Sequence, residues 1–432
     1  MIAVMQVAAN RLAAIESGLD LPLIDRLMGL IGVAAMVGLA VALSYDRRRI
    51  NWRLVASGIA LQVIVGILVL KTGVGRALFD QLGTGFTQLI GFAREGARLV
   101  FGDLVDHPAF LAFSVLPAVI FFSSLMSVLY HLGLMQIVVK AIAWVMQKSL
   151  HTSGAETLSA AGNIFLGQIE APLLVKPFVR DFTPSELFTV MVGGFATCGG
   201  GIMVAYIAML SGLFPNIAAH LITASVMNAP AGLYLSKIML PETGAPLSRA
   251  SPGIRLQKSE SGVIEAAASG ALQGVQLAIN IAAVLIAFVA LVALLNALLG
   301  WVGGFWGQPS LSLQWVLGEL LRPVAWVLGV PWQDTAYVGG LIGLKATIND
   351  FVAYAAFAKD LGAGVVLAPR SAVILTYALL GFANFGSIAI QIGGIGGLAP
   401  ERRSEIARYG LRAMIAGNLA AFTSAALAGM LL

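Results

Sequence analysis

The chain has 432 residues, of which 59% are hydrophobic and only 11% are charged, and its mean hydropathy is +0.90. Soluble domains carry roughly a quarter charged residues, so this composition excludes an ordinary soluble protein and predicts an integral membrane protein embedded in a lipid bilayer. The formal charge of +5 does not indicate a nucleic-acid partner, because Lys and Arg lie mostly between apolar segments, where they set membrane orientation.

Residues 1–25 indicate no cleavable signal peptide. Charged residues interrupt the short apolar stretches there, and the segment lacks a cationic start followed by an apolar run and a small-residue cleavage site. We therefore expect the first spanning helix to direct insertion. The expected location is a cell membrane, in a bacterium the inner membrane, crossed several times by the chain.

Apolar runs of about 20 residues predict eight membrane-spanning helices. Five runs are continuous and lie at 27–45, 54–71, 109–131, 271–300 and 404–432. The three other runs are interrupted by Gly, Asn, Pro or Ser. They are 187–210 with Gly199, Gly200 and Gly201, 216–240 with Asn228 and Pro230, and 371–397 with Asn384, Gly386 and Ser387. Broken backbone at membrane depth must be buried in protein or line a watery cavity, because lipid offers it no hydrogen-bond partners.

Two further segments predict re-entrant helical hairpins. Residues 155–180 and 335–358 are apolar but carry acidic tips, Glu170 and Asp350, and are too short on each side of the tip to cross and return. The stretch 73–107 combines charges with Phe and Leu at helical spacing, which predicts a helix lying in the membrane interface.

Basic residues predict the orientation. Loops 46–53, 241–262 and 398–412 hold several Lys or Arg each, whereas 301–334 holds Arg322 alone. With eight spans and two hairpins that do not cross, the three basic loops fall on one face, which should be cytoplasmic. Both termini are then expected on the outside.

A short internal repeat supports this count. Residues 195–202, FATCGGGI, align with residues 382–388, FANFGSI, and each segment follows a hairpin candidate. A chance match is the alternative for so short a repeat. One hairpin would enter from each face, so we predict an all-α polytopic membrane protein with eight transmembrane helices, two re-entrant hairpins in an inverted repeat, an interfacial helix and a site near the midplane.

The first hairpin contains the strongest functional signal. Gln168, Glu170 and Pro172 stand within a few residues of each other in an apolar segment. A charged side chain at the centre of a spanning helix costs roughly 3 kcal/mol by insertion scales, so Glu170 needs a partner, a cavity or a ligand. The alternative to a binding site is a buried structural acid paired with Lys176 or Lys345.

Four stretches of the chain resemble the concentrative nucleoside transporter family, in the family's order. They are NIFLGQIEAPLLVKPF at 163–178, NAPAGLYLSKIMLPET at 228–243, GLKATINDFVAY at 343–354 and GFANFGSIAIQIGG at 381–394. The family motif Gly-x-Lys-x-x-x-Asn-Glu-Phe-Val-Ala-Tyr is matched from Gly343 to Tyr354, except that Asp350 replaces Glu. The resemblance covers about residues 150–432. It implies cation-coupled uptake of nucleosides by alternating access, and a homotrimer.

The resemblance also implies a substrate site at the hairpin tips and helix breaks. Its members are Gln168, Ile169, Glu170, Ile202, Asn349, Asp350, Phe382, Asn384 and Ser387. Amide and acid groups of the first hairpin would bind the nucleobase, and acid, amide and hydroxyl groups of the second half would bind the ribose. Ile202 and Phe382 would supply apolar contact area.

The family's sodium ligands correspond to the Asn163 side chain, the Leu166 and Cys198 carbonyls and the Thr197 hydroxyl. Hard oxygen donors suit a small hard cation, so Na+ is favoured as the coupling ion. H+ is the alternative, carried by Glu170 or Asp350 if burial raised the pKa. We expect no organic cofactor.

Two departures from the family pattern keep other substrates open. Ile169 stands where the family usually has a hydroxyl residue, and Asp350 is one methylene shorter than Glu. A carrier of nucleobases or of another nucleoside-like solute is therefore the alternative. An intramembrane enzyme is disfavoured, because the sequence has no His-Glu-x-x-His pattern and no Ser with a candidate His nearby.

The expected organisation has four parts. Residues 1–150 form scaffold helices and the interfacial helix, and 151–262 form the first half of the transport domain. Residues 263–334 form a scaffold helix and a linker, and 335–432 form the second half of the transport domain.

Overall fold

The computed structural model describes residues 23–106, 111–214, 216–247, 261–305, 307–308 and 310–432. Regular structure in these residues is entirely helical, as the sequence predicts. The first helices are α1 (Leu23–Ala42), α2 (Trp52–Lys71), α3 (Gly73–Phe101), α4 (Leu111–His131) and α5 (Leu134–Leu150). The signal-peptide prediction concerns residues that lie almost wholly outside the described part, as do Arg249, Arg255 and Lys258 of the predicted 241–262 loop.

Two series of helices follow in the same order. The first series is α6 (Gly154–Gly162), α7 (Glu170–Leu173), α8 (Lys176–Val179), α9 (Pro184–Ala196), α10 (Gly200–Leu210) and α11 (Ile217–Met239). Next come α12 (Val263–Gly304) and α13 (Leu313–Val327). The second series is α14 (Thr335–Thr347), α15 (Asp350–Gly362), α16 (Pro369–Leu379), α17 (Phe385–Leu398) and α18 (Arg403–Leu431). Each series runs from a hairpin through a broken pair to a long helix.

Within the described ranges, four helical segments are long and apolar enough to cross a membrane unaided. They are Trp52–Lys71, Pro184–Leu210, Val263–Gly304 and Pro400–Leu431. Helix α12, with 42 residues, is about 63 Å long at 1.5 Å per residue, roughly twice the thickness of the hydrocarbon layer. Helices α5 and α13 were not predicted, because their apolar residues form one face rather than a continuous run.

The predicted break at Asn228 and Pro230 was wrong. Helix α11 runs without interruption from Ile217 to Met239. Proline removes one backbone N–H, but membrane helices tolerate this when neighbouring groups pair the freed carbonyl. Asn228 instead donates its side-chain N–H to the Ala196 carbonyl at 2.8 Å, so this polar side chain pairs a carbonyl at the end of α9.

The two other predicted breaks occur, a few residues earlier than expected. The first lies at 197–199, between α9 and α10, and the second at 380–384, between α16 and α17. Gly200 and Gly201 already belong to α10, and Gly386 and Ser387 belong to the first turn of α17. Asn384 caps α17, because its side-chain oxygen accepts the Ser387 N–H at 2.9 Å.

The loop after α1, the end of α11 and the start of α18 meet at one end of the molecule, called here the basic end. The Tyr45 N–H donates to the Met239 carbonyl at 2.9 Å. The Arg412 guanidinium carbon lies 3.9 Å from the centroid of the Tyr45 ring. The three loops predicted to share a face therefore start or end together.

The outer end of hairpin 1 is fixed at the basic end by a buried charge cluster. The Lys237 ammonium, near the end of α11, lies 2.7 Å from the Glu156 carboxylate and 3.3 Å from the Glu242 carboxylate. It also donates to the Ser185 hydroxyl at 2.9 Å. Glu156 belongs to α6 and Ser185 to α9, so the cluster joins the outer ends of three helices.

The outer end of hairpin 2 lies at the opposite end of the molecule. Asp334, just before α14, accepts hydrogen bonds from the Ala368 N–H at 3.0 Å and the Ser371 hydroxyl at 2.5 Å. The neighbouring Arg370 lies against Gly429, near the end of α18. The hairpins therefore enter from opposite ends, an arrangement that fits the predicted inverted repeat.

Helices α1 and α2, predicted as scaffold, pack against the last helices of the two series. Gln62 of α2 donates to the Ser424 hydroxyl at 2.8 Å and accepts a hydrogen bond from the Tyr234 hydroxyl at 3.0 Å. All three side chains are buried. Buried polar groups in a membrane core pair with each other at fixed positions, so this network ties α2 to both α11 and α18.

Helices α13 and α14 approach each other through small residues. A Cβ at Gly318 would lie 2.5 Å from the Ala336 carbonyl oxygen, which is too close for any side chain. Small residues at such crossings let membrane helices pack backbone against backbone.

We expect Gly318→Ala to lower the free energy of unfolding by about 1–3 kcal/mol, because the methyl group meets backbone that cannot move aside. Gly38→Ala on α1 is the matched control, since a Cβ there meets nothing within 4 Å. The control should be neutral or stabilising by up to about 1 kcal/mol. Thermal melting of the detergent-purified variants measures both, and equal melting temperatures would contradict the close crossing.

Candidate functional site

The tip of hairpin 1 docks onto the break between α9 and α10. After α6 ends, the Phe165 carbonyl accepts the Gly200 N–H at 2.8 Å, and the Ile164 carbonyl accepts the Ser225 hydroxyl at 3.2 Å. The backbone of Leu166 and Gly167 lies against the break, where a Cβ at residue 199 would come within 2.9 Å of it. The tip and the break therefore supply each other's backbone partners.

The residues implied as cation ligands lie together at this junction. Asn163 is fully buried, and neither its side-chain oxygen nor its nitrogen has a hydrogen-bond partner among the described residues. Its amide lies beside Gly193, whose carbonyl accepts the Thr197 hydroxyl at 3.0 Å. Buried amides are nearly always paired, so an orphaned one indicates a missing partner.

This donor set fits a small hard cation. Its members are neutral oxygens, and the Thr197 oxygen keeps acceptor capacity because the hydroxyl donates its only hydrogen to Gly193. The Leu166 carbonyl carbon lies next to Gly199, the residue that follows Cys198. The orphaned oxygen of Asn163 is the observation that favours a cation here over a purely structural junction.

A chain of amides and a hydroxyl links hairpin 1 to α17. The Gln168 side-chain nitrogen donates to the Ser387 hydroxyl at 3.3 Å. Gln391 donates to the Gln168 side-chain oxygen at 3.4 Å and to the Met191 carbonyl at 3.0 Å. Sequence reasoning missed Gln391, although its position one helical turn after Ser387 is a usable signal.

Glu170 and Ile169 lie at the exposed side of the tip. The Glu170 carboxylate accepts the Gly167 N–H at 2.9 Å. In the described part of the chain, neither Lys176 nor Lys345 forms an ion pair with it, so the alternative of a buried structural acid finds no support. Ile169 is 42% exposed and packs against Gly394 of α17.

The tip of hairpin 2 presents Asn349 and Asp350 at the start of α15. Asn349 caps this helix, because its side-chain oxygen accepts the Val352 N–H at 2.7 Å. The buried Asp350 carboxylate accepts a hydrogen bond from the hydroxyl of Tyr206 on α10. Tyr206 was not predicted as a site residue, because an aromatic residue in an apolar run is normally expected to pack in the core.

The two helix breaks cross each other at Gly381. This residue has φ of 110°, and a Cβ there would lie 2.7 Å from the carbonyl oxygens of both Phe195 and Ala196. Only glycine accepts both the left-handed conformation and the close approach. The neighbouring Phe382 and, on α10, Ile202 are partly buried against the core.

Lys345 holds the end of α16 at this crossing. Its buried ammonium donates to the Ala378 carbonyl at 2.9 Å and the Leu380 carbonyl at 3.3 Å. A cation at a helix C-terminus pairs with otherwise unsatisfied carbonyls and with the negative end of the helix dipole. Both hairpin tips and both breaks therefore meet in one connected region.

Three family models together match most of the chain between residues 31 and 429. The N-terminal model of the Na+-dependent nucleoside transporters matches residues 31–104, the nucleoside-recognition Gate model matches 112–214, and the C-terminal model of these transporters matches 220–429. Uncharacterized transporter YutK of Bacillus subtilis is 43% identical over 409 residues, covering 94% of this chain and 99% of YutK. Sodium/nucleoside cotransporter 1 of Homo sapiens is 40% identical over 420 residues, covering 94% of this chain and 64% of that protein.

The chain belongs to the concentrative nucleoside transporter family. The structure of CNTnw in an inward-facing substrate-bound state is similar, with a TM-score of 0.87 and 44% identity over 94% of this chain and 97% of that one. CNTnw structures in outward-facing and intermediate states also match, with TM-scores of 0.87 to 0.89. The predicted family and all-helical fold are thus confirmed, and the relatives are transporters rather than enzymes.

The transporter uses one asparagine in each series to hold a break. Asn228 of α11 donates to the Ala196 carbonyl at 2.8 Å, and Asn418 of α18 donates to the Ala383 carbonyl at 2.9 Å. Ala196 and Ala383 are equivalent in the alignment of the short sequence repeat. The structure therefore gives the predicted repeat a physical counterpart, an asparagine bonded at the equivalent alanine of each half.

We expect Asn228→Ala and Asn418→Ala each to lower the free energy of unfolding by about 1–3 kcal/mol, because each leaves a buried carbonyl unpaired. Asn280→Ala is the control, since that side chain is exposed on α12 and, among the described residues, bonds only its helix neighbour Gln276. Thermal melting in one detergent measures the three variants. A control as unstable as the two others would contradict the role given to them.

Proposed function

We propose that this chain carries nucleosides across a cell membrane by alternating access, with Na+ as the coupling ion. The observation that carries the proposal is the meeting of Gln168, Ser387 and Asn384 beside the crossing of two helix breaks, where Lys345 of hairpin 2 also binds the end of α16. Family membership supports the substrate class and the ion, because the matching models describe Na+-dependent nucleoside transporters.

The proposed substrate site has a base end and a sugar end. Gln168 and Glu170 face the nucleobase with donors and acceptors, and Ile202 and Phe382 give it apolar walls. Asp350, Asn384 and Ser387 accept or donate hydrogen bonds to the ribose, beside the tip residues Ile169 and Asn349. The Gln168 to Ser387 hydrogen bond at 3.3 Å supports a site in which both ends are within reach of one small ligand.

The proposed cation site couples to substrate through hairpin 1. The Asn163 side chain, the Leu166 and Cys198 carbonyls and the Thr197 hydroxyl would hold Na+. Its positive charge would keep these oxygens together. These residues fix the hairpin tip on the break, and Gln168 lies two residues after Leu166 in the chain. Fixing the tip therefore fixes the amide that meets the base, and by linkage the substrate raises cation affinity by the same factor.

The packing favours a moving unit larger than the two transport halves. Residues 151–262 and 335–432 share the crossing of the breaks, and α1 and α2 join them through the buried Gln62 network. The proposed scaffold then consists of α3, α4 and α12. Ser124 of α4 donates to the Ala267 carbonyl of α12 at 2.8 Å, which supports their staying together as one scaffold.

We place the transporter in the inner membrane of a bacterial cell, as a homotrimer. Helix α12 carries an exposed apolar face that includes Ile279, Ile286, Leu294 and Trp301. Such a face on the scaffold is available for contacts between copies, and it leaves the moving unit free.

We expect Asn163→Ala to reduce the sodium dependence of uptake, because it removes the orphaned amide oxygen from the cation site. The half-saturating Na+ concentration should rise several-fold, with a shallower response. Uptake by proteoliposomes at increasing Na+ measures this, with Asn280→Ala on exposed α12 as the control. An unchanged Na+ titration in Asn163→Ala would contradict the site.

Substrate class is tested by competition. We expect uridine and adenosine to compete for binding more strongly than free uracil, and more strongly with Na+ than without it, because only nucleosides present a ribose to Asp350 and Asn384. The alternative, a carrier of nucleobases or another nucleoside-like solute, has support from Ile169, which packs on Gly394 instead of offering a hydroxyl. Equal competition by uracil would favour that alternative.

A further inference from the structure

The Tyr206 hydroxyl donates a hydrogen bond to the Asp350 carboxylate, and this bond joins the two series of helices. Tyr206 belongs to α10, the second half of the first broken pair, and Asp350 begins the second arm of hairpin 2. Both side chains are buried. Nothing in the sequence pattern connects them.

The phenol ring is held in place by two aromatic residues of the same hairpin arm. Tyr206 stacks on Tyr354, with ring centroids 4.1 Å apart and planes at 23°. It also lies 5.7 Å from the Phe351 ring at 57°. A ring packed in this way cannot turn freely, so its hydroxyl is aimed at one place on the carboxylate.

Besides Tyr206, the backbone N–H groups of Asp350 and Phe351 face the carboxylate at the start of α15. Lys345 is the cation within one helical turn of the hairpin tip, but its ammonium donates to the Ala378 and Leu380 carbonyls. A hydrogen bond to a charged acceptor is about twice as strong as one between neutral groups. In the described part of the chain, Tyr206 is therefore the side chain that hydrogen-bonds the carboxylate, and it influences which Asp350 oxygen is left for a ligand.

We propose that Tyr206 is a positioning residue for sugar recognition: through Asp350 it sets the preference for a ribose hydroxyl over hydrogen at the same carbon. The inference rests on the proposed nucleoside function and adds a residue to its sugar end. The shortened acid makes the role necessary, since Asp350 reaches one methylene less far and has to be held at a defined angle to bond a hydroxyl.

The inference is tested with Tyr206→Phe, which removes one oxygen and keeps the ring. We expect the half-saturating concentration of uridine to rise about threefold to tenfold, the usual effect of losing one hydrogen bond. Asp350 would recognise the 2′-hydroxyl, the 3′-hydroxyl or both. Uptake of the deoxyuridine that lacks a recognised hydroxyl, 2′-deoxyuridine or 3′-deoxyuridine, should change much less, because that analogue does not depend on the angle of Asp350. Proteoliposome uptake of the three nucleosides measures the ratios.

Tyr354→Phe is the matched control. Its ring stacks on Tyr206 and is equally buried, but its hydroxyl donates to the Thr376 carbonyl at 2.7 Å, away from Asp350. We expect its ratios among the three nucleosides to equal those of the unmodified protein. A uniform change for all three in Tyr206→Phe, or the same selective change in Tyr354→Phe, would overturn the inference.

Uptake of uridine by the unmodified protein tests the proposed function alone, whereas the ratios in Tyr206→Phe test the inference. The melting temperatures of both variants should fall by similar amounts, because each variant leaves a buried acceptor one hydrogen bond short. Their Na+ titrations at saturating nucleoside should match that of the unmodified protein, because neither hydroxyl belongs to the proposed cation site. If Tyr206→Phe does not fold, Phe351→Leu is the second probe, since it loosens the same ring without removing its hydroxyl. It should cause a smaller change that is again selective for uridine, and a uniform change would contradict the inference.

Discussion

The fold depends on the pairing of broken backbone that lipid cannot hydrogen-bond. The breaks at 197–199 and 380–384 leave carbonyl and N–H groups at or beside them without helical partners, and several of these groups pair with groups from elsewhere. Phe165 accepts from the first break, Asn228 donates to the carbonyl just before it, and Asn418 donates to a carbonyl within the second. Lys345 supplies the remaining donor at the end of α16. Two interrupted helices can therefore cross at the centre of a membrane protein.

The same pairing creates the proposed site. The tip of hairpin 1 lies on the first break because its carbonyls are needed there, and this brings Asn163 beside Gly193 and Gln168 beside Ser387. Recognition groups thus sit on backbone that the fold already has to immobilise. A ligand bound at the crossing meets preorganised donors and acceptors, which lowers the entropy cost of binding.

Much of the fold and of the proposed site could be predicted from the sequence. The remainder could not, and the reasons are physical. Composition and apolar runs predicted the spans, and polar residues within them predicted the hairpins. Asn228 was misread as a break because its amide serves a carbonyl on another helix, which no local pattern reveals. Tyr206 and Gln391 were missed since their roles lie in contacts across the two series. Helices α5 and α13 escaped detection because one-sided apolar patterns fall below the length of a spanning run.

The cluster of Glu156, Lys237 and Glu242 has a consequence for biogenesis. Glu156 leaves the ribosome well before Lys237, yet the two form a buried ion pair at 2.7 Å. A buried carboxylate without its counter-charge is strongly destabilised. The first arm of hairpin 1 therefore lacks the counter-charge of its buried acid until α11 has been synthesised and inserted.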